Sequence, residues 1–159
     1  KWLAAELEKV KVNSSSSCRH SNNMKPGLIN LLAVILGFIV GSFVNLGVLE
    51  LGPMLIPNPE GFDNSSMETL AATLHLLNPI NYITVFLAHS LGALVGAAVA
   101  SLIAANRKLL FALVVGVLFL TAGLYMSFSL PSPNWYIIVD SLGAYIPMSL
   151  IAWKLTGSK

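Results

Sequence analysis

The sequence predicts an all-α polytopic membrane protein: a four-transmembrane-helix bundle with an interfacial amphipathic helix in its first outer loop. Three observations lead to this fold class. Hydrophobic residues make up 55% of the 159 and charged residues only 10%, where a soluble domain carries about a quarter charged. Four apolar runs, residues 28–49, 83–105, 109–130 and 135–153, are long enough to cross a bilayer core, which takes about 20 helical residues, and none contains Lys or Arg. The nine basic residues also fall on one side of this layout: Lys1, Lys9, Lys11, Arg19 and Lys25 before the first run, Arg107 and Lys108 between the second and third, Lys154 and Lys159 after the fourth. Because Lys and Arg near span ends are retained on the cytoplasmic side, both termini are expected in the cytoplasm and the chain in an inner or plasma membrane. The net charge of +2 then calls for no nucleic-acid partner, since an anionic membrane surface accounts for the basic residues.

Residues 1–23 differ in character from the rest of the chain. "KWLAAELEKVKV" has the spacing of a short amphipathic helix, and "NSSSSCRHSNN" reads as a polar linker. Met24-Lys25-Pro26 stands directly ahead of the first apolar run, so this segment is set apart as an expression remnant or an upstream extension, and residues 24–159 as the transmembrane domain. Cys18 is the sole cysteine and can form no internal disulfide.

The first span carries Ala33, Gly37, Gly41 and Asn45 at four-residue intervals, and the second carries Ala88, Gly92, Gly96, Ala100 and Ala104. Helices in lipid gain little from apolar burial and associate through close packing and interhelical hydrogen bonds, so these stripes predict two helices in close approach, with the second at the centre of the bundle. The loop between them begins with an extended crossing over Pro53, Pro57 and Pro59. It continues as a helix opened by Ser65 and Glu68 at capping-box spacing and stopped before Pro79, with Met67, Leu70, Ala71, Leu74 and Leu77 on one face and Glu68, Ala72 and His75 on another. The third span, mostly Leu, Val and Phe, is expected to face lipid. In the fourth, Trp135, Tyr136 and Trp153 stand where amphipathic rings anchor to the interface, and Pro147 predicts a kink near Gly143.

Two polar groups inside the spans call for an explanation. Asp140 lies about a turn and a half inside the fourth span, and His89 lies at a similar depth in the second, counted at 1.5 Å per residue. An ionised carboxylate there needs a partner, and no Lys or Arg in any span supplies one. His89 is the candidate, and Asn45 and Tyr145 are placed to complete a polar cluster with the pair. Such a cluster can relay a proton or bind a cation, or simply tie helices together by a hydrogen bond.

Signatures of soluble catalysis are missing. No His/Cys set has metal-ligand spacing, and Glu68 and His75 are two turns apart and not one, so no metal and no cofactor is expected. No serine stands in a nucleophile elbow and no glycine loop cradles phosphate. Two function classes remain. One is a small ion or solute channel or transporter, a homo-oligomer because four short helices seldom enclose a path. The other is a non-catalytic subunit of a larger membrane complex, docking through its small-residue faces. A membrane enzyme ranks behind both.

Overall fold

The computed structural model describes residues 25–156; the N-terminal extension and Cys18 lie outside them. Regular structure among the described residues is entirely helical: α1 (Pro26–Leu51), α2 (Met67–Thr73), α3 (Asn81–Ile103), α4 (Lys108–Ser129), α5 (Asn134–Gly143) and α6 (Ile146–Thr156), with 3-10 turns at Gly52–Met54 and Leu74–Leu76. α1, α3, α4 and the α5–α6 pair form four spans long and apolar enough to cross a membrane. α1, at 26 residues, is about 39 Å long, which exceeds the roughly 30 Å hydrocarbon layer.

Local chemistry sets the helix ends. Pro26 opens α1, where its fixed φ suits the first turn and its missing N–H costs nothing. The Asn81 side chain accepts from the Asn78 amide at 3.1 Å and donates to the Pro57 carbonyl at 3.0 Å, fastening the loop to the start of α3. At the opposite end of the bundle Asn30 accepts from the Ala105 amide at 2.9 Å and donates to Asn106 at 3.0 Å, tying α1 to the turn between α3 and α4. The described basic residues Lys25, Arg107, Lys108 and Lys154 gather at that end, and Glu50, Glu60, Asp63 and Glu68 at the other.

The close approach of α1 and α3 runs backbone to backbone. A Cβ on Gly37 would lie 2.5 Å from the Gly96 carbonyl oxygen and 3.0 Å from Ala100 Cβ; one on Gly41 would lie 2.5 Å from the Gly92 carbonyl oxygen. The clash is reciprocal, because a Cβ on Gly96 would meet the Gly37 carbonyl oxygen at 2.8 Å. Ala33 and Ala100 are fully buried, and Ala104 nearly so at the end of α3. On its other side α3 sets Ala93 and Ala97 against α4 and α6. With the largest buried share of any span, 39%, α3 is the central helix.

One expectation about the remaining spans is corrected. The third span, α4, is not the one most given over to lipid: its buried share is 28%, against 22% for the first. Its inward face carries Ala112, Val115, Gly116, Phe119 and Gly123, and Gly116 and Gly123 make room for Ser149 and the Tyr145 ring of the fourth span. In the fourth span the kink expected near Gly143 is a full interruption at Ala144 and Tyr145, which parts α5 from α6. Pro147 has no N–H to give to the Gly143 carbonyl and its ring crowds that carbonyl, so the helix stops and restarts. The Ala144 amide still reaches the Asp140 carbonyl at 2.9 Å, and the Ser149 amide the Tyr145 carbonyl at 3.0 Å, so the backbone on both sides of the break keeps its bonds.

The loop helix starts one residue later than its spacing predicts. Ser66, and not Ser65, is the cap: its hydroxyl accepts from the Thr69 amide at 3.1 Å while Thr69 Oγ1 accepts from the Ser66 amide at 3.1 Å. Thr69 thus fills the reciprocal role expected of Glu68, whose carboxylate stays in the first turn of α2. The helix is also shorter than expected, giving way to the 3-10 turn at Leu74, whose side chain is buried.

Candidate functional site

The site forms where α3 meets the broken fourth span. His89 projects from α3 toward Asp140 on α5, with its Nδ1 at 3.0 Å from Asp140 Oδ1 and 2.9 Å from Oδ2. The Tyr145 hydroxyl donates to Asp140 Oδ2 at 2.7 Å and lies 3.0 Å from His89 Nδ1. Tyr136 brings its hydroxyl to 3.4 Å from the same nitrogen. Asp140 and Tyr145 are each 1% exposed and Tyr136 4%, so the oxygens of the group are sealed within the bundle.

The break in the fourth span creates part of this geometry. Residues five apart on a continuous helix point about 140° away from each other, so Asp140 and Tyr145 could not bond in one. The interruption at Ala144 and Tyr145 redirects the Tyr145 ring back toward α5, where it also stacks on the His89 imidazole at 5.7 Å between centroids. Tyr136 precedes Asp140 by four residues and so shares its helix face. Tyr82, two turns before His89 on α3, packs on Tyr136 at 4.7 Å and on Trp135 at 5.6 Å, adding an aromatic cluster on the acidic-end side of the group.

With Asp140 ionised, both carboxylate oxygens are acceptors, so Nδ1 carries the proton it shares between them and the Tyr145 hydroxyl gives its proton to Oδ2. All the hydrogen-bond contacts of the imidazole fall on Nδ1; among the described residues Nε2 has none, and the His89 side chain is 19% exposed. The pair is therefore closed at the carboxylate and open at one ring nitrogen. In this arrangement Nε2 can accept a proton, donate one, or offer a lone pair to a cation.

The other residues singled out from the sequence sit elsewhere. Asn45 takes no part in the hydrogen bonds of this group; it stands on α1 against α3, where a Cβ on Gly92 would lie 2.9 Å from Asn45 Cβ, and so belongs to the packing seam. Glu68 and His75 are both exposed on the loop helix and the turn after it. Among the described residues no three His, Cys, Asp or Glu side chains gather into a metal-sized cluster. In the same loop the Ser65 amide donates to Asp63 at 2.8 Å, which holds the Asp63 carboxyl below its ordinary value of 3.8.

Sequence reasoning missed Tyr136 as a member of the group. Its neighbour Trp135, 47% exposed, fits an interfacial anchor, but Tyr136 is buried. The available signal was its spacing of four residues from Asp140. Asn30 was missed as well, although an amide one turn into an apolar span marks a hydrogen bond to a neighbour. No protein-family model, no curated protein and no solved structure matches the chain.

Proposed function

We propose that this protein is a small membrane channel or transporter, acting as a homo-oligomer, in which His89 and Asp140 bind and release a proton or small cation. The observation that carries this reading is the buried Asp140 carboxylate, bonded through both oxygens to a histidine whose other nitrogen is left open. An acid inside a span costs about 2.5–3.5 kcal/mol at the helix centre. A pair of amides would join the same two helices without a charge. What carboxylate and imidazole add is the capacity to hold one proton more or fewer.

The charge count gives the mechanism. With both ring nitrogens protonated, imidazolium and carboxylate sum to zero, the cheaper state in a low-dielectric bundle. Loss of the Nε2 proton leaves one uncompensated negative charge on the pair. That charge favours the return of a proton or the entry of a cation beside the ring. Tyr145 and Tyr136 hold the pair in register through both states, since neither has to give up its own proton.

Asp140→Asn preserves the shape and removes the charge. Reconstituted into liposomes, the variant is expected to assemble as the parent does and to lose flux of protons or monovalent cations. Unchanged flux would overturn the proposal. The complete internal hydrogen bonding of Asp140 favours a second reading, in which the group is an interhelical clamp in a subunit of a larger membrane complex. That reading predicts lost assembly for the same variant and stoichiometric partner chains on gentle extraction.

A further inference from the structure

At the basic end, remote from His89 and Asp140, a cavity of about 550 Å³ lies between the turn into α4 and the end of α6. Its lining includes Asn106, Arg107, Lys108, Leu109, Leu110 and Trp153. The polar and apolar parts are segregated along the sequence: the turn supplies the cations, and the first residues of α4 together with the Trp153 ring supply hydrocarbon contact. Neither Arg107 nor Lys108 has an ion pair or hydrogen-bonded side-chain partner among the described residues. The described carboxylates of the loops stand at the opposite end of the bundle, so none competes for these cations.

The turn is also held in place before any ligand arrives. Asn30 fixes both the Ala105 amide and the Asn106 side chain, and Arg107 comes next with a φ of 45°. Two cations on a tethered turn suit a phosphate, which Arg can meet with two parallel N–H donors and Lys with a point charge. The wall of Leu109, Leu110 and Trp153 suits the first carbons of a chain attached to that phosphate. We propose that this cavity binds an anionic phosphate ester, with Arg107 and Lys108 on the phosphate. The apolar wall favours the headgroup of an acidic phospholipid over a soluble ester as its source.

The test uses the full chain in mixed micelles containing equal phosphatidylglycerol and phosphatidylcholine, with retained lipid counted by native mass spectrometry. The parent is expected to retain phosphatidylglycerol over phosphatidylcholine by about thirtyfold, from two basic contacts near a membrane surface. Arg107→Asn with Lys108→Gln should abolish the preference, asparagine being chosen because it tolerates positive φ. Lys25→Gln, at the same end but outside the cavity, should keep it. Retention that survives millimolar glycerol phosphate assigns the site to the lipid. Glycerol phosphate bound in neutral micelles, and lost in the double variant, assigns it to a soluble ester. Equal retention of both lipids by the parent without glycerol phosphate binding, or a preference that persists in the double variant, would overturn the proposal; matching melting curves of parent and variants establish that folding is not the cause.

Discussion

α3 meets its neighbours in two different ways. Toward α1 it presents Gly92, Gly96 and Ala100, and the two helices touch through carbonyl oxygens and Cα atoms with almost no side chain between them. Toward α5 and the break before α6 it presents His89, and the contact is made by large side chains joined through hydrogen bonds. Lipid is as apolar as leucine, so neither contact can rely on the hydrophobic effect. Close dispersion packing serves one side and polar bonding the other. The first contact depends on the absence of side-chain atoms, whereas the second depends on donors and acceptors that face each other.

Substitutions on the two sides should therefore fail in different ways. The largest effect is expected from Gly96→Leu, whose Cβ alone would lie 2.8 Å from the Gly37 carbonyl oxygen and 3.1 Å from the Phe119 ring. We expect a loss of about 3 kcal/mol or more, read as unfolding or misassembly by denaturant titration in mixed micelles. The control is Gly47→Ala, where no atom lies within 4 Å of the new Cβ and the helix should be unharmed or slightly strengthened. If Gly96→Leu folds like its parent, the backbone seam is wrong.

On the polar side, Tyr145→Phe keeps the ring that Gly123 accommodates and deletes the donor to Asp140. A loss of about 1–2 kcal/mol is expected in the same titration, the range for an interhelical hydrogen bond to a charged acceptor. Asn30→Ala should cost about 1 kcal/mol, because the Ala105 amide and Asn106 lose their partner at a bundle end that water can reach in part. Its local signature is faster amide exchange at Ala105. The smallest effect has the opposite sign. Ser101 is fully buried and its hydroxyl has no partner among the described residues, so Ser101→Ala should leave stability unchanged or raise it by up to about 1 kcal/mol. A marked loss would mean that this hydroxyl has a partner in the membrane.

The sequence read the packing side more fully than the polar side, for a physical reason. A stripe of Gly and Ala every four residues is a local pattern, and helical periodicity alone puts Gly37, Gly41, Gly92 and Gly96 on faces that can approach. The four spans were legible for the same reason, since composition over about 20 residues defines them. The polar group depends on tertiary arrangement. Equal depth suggested His89 and Asp140, but depth does not report rotation about the helix axis, and Asn45, at a similar level, turns into the α1–α3 seam. The contribution of Tyr145 depends on a helix break. Pro147 foretold a kink near Gly143, though not that the break would bring a residue five positions onward back to Asp140. The cap at Ser66 was misplaced by one residue because Thr69 can close the same reciprocal pair as a glutamate.

The central claim is that the His89 imidazole is fixed to Asp140 through Nδ1 while Nε2 has no partner among the described residues. Nitrogen-15 NMR of the histidines in lipid, with His89 assigned by its loss in His89→Gln, tests it most directly. The account predicts that the neutral imidazole of His89 carries its proton on Nδ1, facing Asp140, and leaves Nε2 bare. In Asp140→Asn that preference for Nδ1 should disappear. A bare Nδ1 with a permanently protonated Nε2 in the parent protein would contradict it.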